Sequence, residues 1–385
     1  MAAYLPFHVP EIDDEDIEAV VNVMRSGWLT TGAKARQFEQ EFAAKVGARY
    51  AVALNSCTAA LHLALEAIGL VEGDEVLVPT MTFAATAEVV TYFKAKPVLI
   101  DCLPDTLNMN PDLLERAITP RTKAVIPVHF AGQPCDMTRI LEVGRRHNLR
   151  IIEDAAHAFP ASYKGKAIGS IGDCTCFSFY ATKNITTGEG GMVTTDDPEC
   201  ADRMRRMSLH GLSRDAWKRY TNQGSWYYEI VAPGFKYNLT DMAAALGLSQ
   251  LHKADRYWKT RERYAALYAE GFRDLPEITP LGIQDDVQHA WHLYVIQLDP
   301  ARLRITREAF IERLQQQQIG CSVHFIPLHL HPYYRNAWGY NPEQFPVASR
   351  AFQKMVSLPL YSKMSEMDIH RTIAAVREIV LEGRQ

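Results

Sequence analysis

The chain has 385 residues, 47% of them hydrophobic, with 41 basic and 45 acidic side chains and a net charge of −4. That is enough apolar chain for two domains with sizeable cores, and the near balance of charge argues against a nucleic-acid backbone or an anionic membrane as the main partner. No apolar run approaches the roughly 18 residues of a membrane span, and the opening MAAYLPFHVPEIDDED lacks the basic-then-apolar order of a secretory leader, so a cytoplasmic location is expected. Seven scattered cysteines read as free thiols. Cys174 and Cys176 fall on one face of an alternating strand, which suits core packing better than redox or metal work.

Ile17, Val20, Val21 and Met24 recur at helical spacing behind an acidic start, and SGWLTTGAK then breaks the pattern before a helix at about 35–46. Seven strand-like runs follow, at 51–54, 76–79, 98–100, 124–128, 151–153, 176–179 and 192–195, the earlier ones separated by helical patterns such as TAALHLALEAI and MTRILEVGRRH. Alternation of this kind, with nearly continuous apolar strands, predicts a mostly parallel seven-stranded sheet buried on both faces. The last two runs have no helix between them. Beyond DMAAALGLSQL a charged amphipathic helix (251 to about 272) leads to strands near HLYVIQL and CSVHFIPL. A closing helix follows, with Ser365 and Asp368 as its capping box and Ile369, Ile373 and Val376 as its stripe. The expected division is a large α/β domain at 1–250 and a smaller α+β domain at 251–385.

Ligands of parallel α/β sheets bind beyond the carboxyl ends of the strands, so polar residues where strands stop carry the interest. After AVAL comes Asn55-Ser56-Cys57-Thr58, opening a helix whose first N–H groups could hold an anion, although Ser and Thr also serve as plain N-caps. After RIIE comes Asp154, either a helix cap or a carboxylate reaching a cleft. Then FSFYATKNITTGEGGMVTT places Lys183 in a loop between two strands, with Ser178 five residues before it. A phosphate cradle, an acid and a lone loop lysine are what pyridoxal phosphate (PLP) requires. The lysine bonds the cofactor, the acid keeps the pyridine nitrogen protonated, and the helix N-terminus takes the phosphate.

Here SGWLTTG, TAALHLAL, VPTMTFAATA, IIEDAAHA, SFYATKNITTGEGGMV, GFKYNLTDMAAALGLSQL and VHFIPLHLHPYY resemble the DegT/DnrJ/EryC1/StrS nucleotide-sugar aminotransferases, PLP enzymes of fold type I (aspartate aminotransferase-like). The resemblance covers nearly the whole chain. It implies that Lys183 is the catalytic lysine that holds the cofactor, that Asp154 pairs with the pyridine nitrogen, and that His157 lies near the phenolic oxygen. It also implies that Phe83 stacks on the ring and that Cys57, Thr58 and Ser178 bind the phosphate. Asn238 would reach the phosphate of a neighbouring subunit, which makes the minimal unit a homodimer with a shared site.

For the substrate, the resemblance points to Trp28, Thr31 and Gly32 lining the sugar cleft, with Tyr180, His324 and His329 nearby. Arg219 and Lys236 are candidates by charge alone. No metal is expected, since no cysteine or carboxylate completes a zinc set around the histidines 324, 329 and 331. The implied reaction moves an amino group from L-glutamate, leaving 2-oxoglutarate, to a nucleotide-diphosphate-linked keto sugar. NITTGEGG sides with members acting at C4, most closely those forming UDP-4-amino-4-deoxy-L-arabinose, whereas Tyr180 stands where those carry His. A C3-specific or dTDP- or GDP-linked sugar aminotransferase is the alternative within the class. Two rivals lie outside it. Sugar dehydratases of the same superfamily lack the anchoring lysine, and a non-catalytic cofactor- or sugar-nucleotide-binding protein would tolerate its loss.

Overall fold

A computed structural model describes residues 3–213 and 227–385. Seven strands form the large sheet: β1 (Tyr50–Leu54), β2 (Glu75–Pro79), β3 (Lys96–Ile100), β4 (Thr122–Val125), β5 (Arg150–Asp154), β8 (Cys174–Ser178) and β9 (Gly191–Thr195). Between β5 and β8 lie the two-residue strands β6 (Ser162–Tyr163) and β7 (Lys166–Ala167). The sheet order is β1-β9-β8-β5-β4-β2-β3, and every pair is parallel except the two made by β9. β9 runs backward because it follows β8 through a loop with no crossover helix, and an antiparallel neighbour needs none. That loop carries Lys183.

Helices cover both faces, which is why these strands read as unbroken apolar runs. In chain order they are α1 (Asp14–Ser26), α2 (Ala33–Val46), α3 (Cys57–Ala67), α4 (Ala85–Thr91), α5 (Leu114–Ala117), α6 (Met137–His147), α7 (Pro198–Met207) and α8 (Asp241–Phe272). Within β8, Cys174 and Cys176 join the core on the α3 side, while Phe177 joins the core on the α2 side. Pleating therefore turns Ser178 toward α3. Phe42 of α2 packs edge-on against Phe177 and Phe179 at 4.9 and 5.4 Å, fixing the strand end from which the loop departs.

The C-terminal part contains β10 (Ile278–Pro280), β11 (Val287–Gln288), β12 (Tyr294–Leu298) and β13 (Met355–Leu358). Its helices are α9 (Arg307–Gln316), α10 (Pro332–Trp338), α11 (Pro346–Lys354) and α12 (Glu366–Glu382). β10, β12 and β13 form an antiparallel sheet. The capping box of Ser365 and Asp368 opens α12.

Three features differ from the sequence expectation. CSVHFIPL is not a strand; it makes one bridge, Ser322 to Ser357, and the third strand is β13 instead. α8 runs unbroken through position 250/251, so the expected division falls inside a helix, and Leu5 packs into the core of the C-terminal part. The two ends of the apolar stripe of α1 face outward, with Ile17 54% and Met24 58% exposed, while Val20 and Val21 are half-buried and Asp16 and Val23 are buried. The reason is electrostatic. Asp13 and Asp16 both pair with Lys253 of α8, and Gln250 donates to Asp16 at 2.8 Å, so the inner face of α1 is set by ion pairing.

Candidate active site

The loop between β8 and β9 is tied down at several points. Thr186 Oγ1 donates to the Phe179 carbonyl at 3.0 Å, and the Phe179 N–H donates to the Gly190 carbonyl at 2.9 Å. Asn184 donates to the carbonyls of Phe159 and Ala290, at 2.9 and 2.7 Å, while its own carbonyl oxygen meets His292 Nδ1 at 3.2 Å. Lys183 is thus held between an anchored asparagine and its backbone bond to Tyr180. Its amine is enclosed by protein, although the residue as a whole is only half-buried, and burial lowers its pKa to about 8 against the pull of Cys57 and Asp154.

Asp154 ends β5 and is buried. It accepts from Thr86 Oγ1 at 2.8 Å and from the Ala156 N–H at 3.1 Å. Burial raises its pKa, and those two donors, with Lys183 and His129, pull it down. Behind it the fully buried Glu153 accepts from His129 Nε2 at 2.9 Å, Gly172 N at 2.7 Å and Thr175 Oγ1 at 2.7 Å. At the start of α3, Ser56 is the N-cap, accepting from Ala59 N at 3.0 Å. Cys57 and Thr58 therefore supply the first two N–H groups of the helix, which no helix carbonyl can take. Gly191 lies so close to them that a Cβ there would stand 2.4 Å from Ser56 C and O. Ser178 accepts from Tyr180 N at 3.3 Å.

Around Lys183 stand histidines kept neutral by burial. The pKa of His8 is lowered to about 3 and that of His324 to about 4, and those of His157 and His292 lie well below the ordinary value. His157 packs tilted against His292 at 4.3 Å and stacks on Phe325 at 5.7 Å, and its Nδ1 is buried without a partner. His324 Nδ1 meets Ser357 Oγ at 3.0 Å. Phe83, 63% exposed, faces Phe325 at 6.0 Å, and Tyr180 is exposed as well. Sequence reasoning did not single out His8, Thr86, Asn184, His292 or Phe325. Asn184 adjoins the lysine and could have been found by that alone; His292 enters only through tertiary contacts.

Trp28, Thr31, Gly32, Lys236 and Asn238 gather elsewhere, in a cleft of about 780 Å³ at the β1 edge whose lining does not include Lys183 or Asp154. Asn238 donates to Thr31 Oγ1 at 2.7 Å and accepts from Lys236 Nζ at 2.5 Å, and Gly32 leaves room for the Trp28 indole. Arg219 lies outside the described residues. His329 corrects the expectation of a substrate contact. It is fully buried, with Nδ1 2.7 Å from Thr80 Oγ1 and Nε2 2.9 Å from Ser349 Oγ, so both ring nitrogens are engaged inside the protein. His324 and His329 have separate partners, and among the described residues no three metal-ligating side chains cluster.

These residues fit PLP. The Lys183 amine, the buried Asp154 carboxylate at a strand end and Cys57 at the N-terminus of α3 lie near enough to act on one another electrostatically, and the buried His157, whose Nδ1 needs a partner, feels the same lysine. The DegT/DnrJ/EryC1/StrS aminotransferase family matches residues 10–377. The spore coat polysaccharide biosynthesis protein SpsC of Bacillus subtilis is 52% identical over 378 residues, covering 98% of this chain and 97% of that one. Spr1654 of Streptococcus pneumoniae, described as a sugar aminotransferase and solved in PMP and PLP forms, is 36% identical. Its PMP form has a TM-score of 0.92 and a match covering 98% of this chain and 99% of that one. DesV of S. venezuelae, solved with a ketimine intermediate, is 34% identical with a TM-score of 0.89 over 98% of this chain and 99% of that one. With fold, cofactor site and relatives in agreement, the chain belongs to the DegT/DnrJ/EryC1/StrS family and is a PLP-dependent aminotransferase of fold type I.

Proposed function

We propose that this enzyme transfers an amino group from L-glutamate to a keto sugar carried on a nucleotide diphosphate, at C4 of a UDP-linked 4-keto sugar, and works in the cytoplasm as a homodimer with shared sites. The observation that carries the reading is the enclosed Lys183 amine, with pKa about 8, between Asp154 and the start of α3. PLP, when bound, supplies an aldehyde for that amine and a protonated ring that takes up carbanion charge. Lys183 would hold the cofactor, and its amine would serve as the base that moves a proton at the substrate carbon. Asp154 accepts from the pyridine nitrogen, Cys57, Thr58 and Ser178 receive the phosphate, and Phe83 covers the ring. His157 would meet the phenolic oxygen, and His8 and His324 offer hydrogen bonds to sugar hydroxyls without positive charge that would compete with the lysine's proton.

The finer assignments rest on separate support. NITTGEGG favours C4, the name of SpsC favours a product that enters a polysaccharide, and the Lys236–Asn238 cleft can take a diphosphate or a partner's phosphate. A dimer is favoured because that cleft does not contain Lys183 and because α1 turns Ile17 and Met24 to solvent. Among the described residues no helix is long and apolar enough to cross a membrane. The test is the visible spectrum of the holoenzyme during additions. L-glutamate should remove the yellow band, and one UDP-linked 4-keto sugar should restore it. Restoration only by 3-keto sugars or by dTDP- or GDP-linked sugars would replace the substrate assignment, and no response to any amino donor would end the reading.

A further inference from the structure

The two oxygens of the Asp154 carboxylate are held differently. Oδ1 accepts from Ala156 N, within its own turn, whereas Oδ2 accepts at 2.8 Å from the hydroxyl of Thr86, the second residue of α4. Thr86 Oγ1 lies 2.7 Å from Thr82 Oγ1, and both threonines are buried. Counting protons fixes the direction of this chain. An ionised carboxylate only accepts, so the Thr86 proton is committed to Asp154, and the bond between the two threonines must use the Thr82 proton. The Thr82 O–H then points at Thr86 Oγ1 and the Thr86 O–H at Oδ2, and the two bonds polarise one another in the same sense. A protonated Oδ2 would require the chain to reverse.

We propose that Thr86, backed by Thr82, is a positioning residue of this aminotransferase, its hydroxyl holding Asp154 ionised and aimed at the pyridine nitrogen of PLP. The proposal rests on the reading of Asp154 as that nitrogen's partner. Burial opposes the charge on Asp154, the titratable groups that favour it are Lys183 and His129, and Asp154 in turn raises the thiols of Cys57, Cys135 and Cys176, which stay neutral beside it. The hydroxyl pair is the neutral contribution from the α4 side, acting where no counter-ion is needed. One short segment therefore does two things. It leaves Phe83 exposed and turns the hydroxyls on either side of it inward, Thr82 to Thr86 and Thr86 to the carboxylate.

The test compares Thr86→Val, which removes the donor at nearly constant volume, with Thr86→Ser, which keeps it. In the apoprotein, the infrared carboxyl band of Asp154, identified by its loss in Asp154→Asn, should titrate about one pH unit higher in Thr86→Val. PLP affinity, followed by tryptophan fluorescence, should fall about tenfold. In the holoenzyme kcat should fall more than KM changes. Thr86→Ser should restore all three, and Thr82→Val should shift the band and the affinity in the same direction by less. A parental titration and affinity in Thr86→Val would overturn the proposal, as would Thr86→Ser being equally damaged, since that would make Thr86 a packing residue. Should Thr86→Val fail to fold, Thr82→Val decides by the same two readouts. Parental affinity and turnover in Asp154→Asn would instead remove Asp154 from the site, a failure distinguishable from that of the hydroxyl chain.

Discussion

Replacing Gly191 with alanine tests the phosphate cradle without touching a polar group. The added methyl would stand 2.4 Å from Ser56 C and O and 2.6 Å from Cys57 N, so β9 or the start of α3 must retreat by about 1 Å to reach ordinary contact. Backbone cannot swing aside as a side chain would, which places the cost near the top of the usual range for overpacking, about 3 kcal/mol. The same shift misaligns the first N–H groups of α3. Losing one good hydrogen bond to a charged group is worth about 1.5–3 kcal/mol, so PLP affinity should fall roughly 10- to 100-fold. Fluorescence titration of the apoprotein with PLP, and its urea midpoint, measure the two effects separately. Gly188→Ala is the control, because φ is +80° but nothing lies within 4 Å. It should lose about 1 kcal/mol of stability through strain and keep its affinity. Parental affinity and stability in Gly191→Ala would mean that β9 and α3 do not meet as described.

The Lys183 pKa of about 8 leaves roughly one-quarter of the amine neutral at pH 7.5, against about 0.1% for an ordinary lysine, so the rate of covalent PLP capture by apoenzyme should rise with an inflection near pH 8. Stopped-flow absorbance reads this, and a rate still climbing steeply past pH 9 would contradict it. The histidines around the lysine have folded pKa values below the unfolded 6.5, so the unfolded chain binds more protons in acid. Their stability contribution is complete above about pH 6.5 and is lost as pH falls toward 4, and His157→Gln/His292→Gln should flatten that decline in the urea midpoint of the apoprotein. A decline identical to the parent's would exclude these two rings as its source. Glu153→Ala strands the donors His129 Nε2, Gly172 N and Thr175 Oγ1 and should cost about 3–5 kcal/mol in urea unfolding, with a loss under about 1 kcal/mol refuting the account.

The seven strands of the large sheet were legible because each is buried on both faces and so writes its position as a short apolar run. Lys183 and Asp154 stood out for a related reason: Asp154 interrupts such a run where β5 stops, and Lys183 lies in the loop just beyond β8, where a polar residue has few structural excuses. The capping box at Ser365 is likewise local, its two partners three residues apart. Resemblance of whole motifs then supplied the family, which composition and periodicity alone do not name.

What the tertiary structure decided were matters with no local signature. The stripe of α1 has a correct helical period, yet ion pairs to α8 leave its ends, Ile17 and Met24, outward, and periodicity cannot say which face a helix buries. CSVHFIPL has the composition of a strand, yet it meets the free edge of β13 only at the Ser322–Ser357 bridge and leaves the sheet beyond it. His329 and His324 look alike in sequence, but Thr80 and Ser349 consume both nitrogens of one while the other keeps a nitrogen to offer. Thr86 meets Asp154 across 68 positions, and Asn184 meets His292 across 108. The separation of Asn238 from Lys183 into different spaces of one chain is of the same kind. Sequence determines which residues can form strands, caps and charged groups, because those choices are made within a turn or two of backbone. Which donor meets which acceptor is determined by the packing of distant elements, where a shift of an ångström makes or breaks the bond.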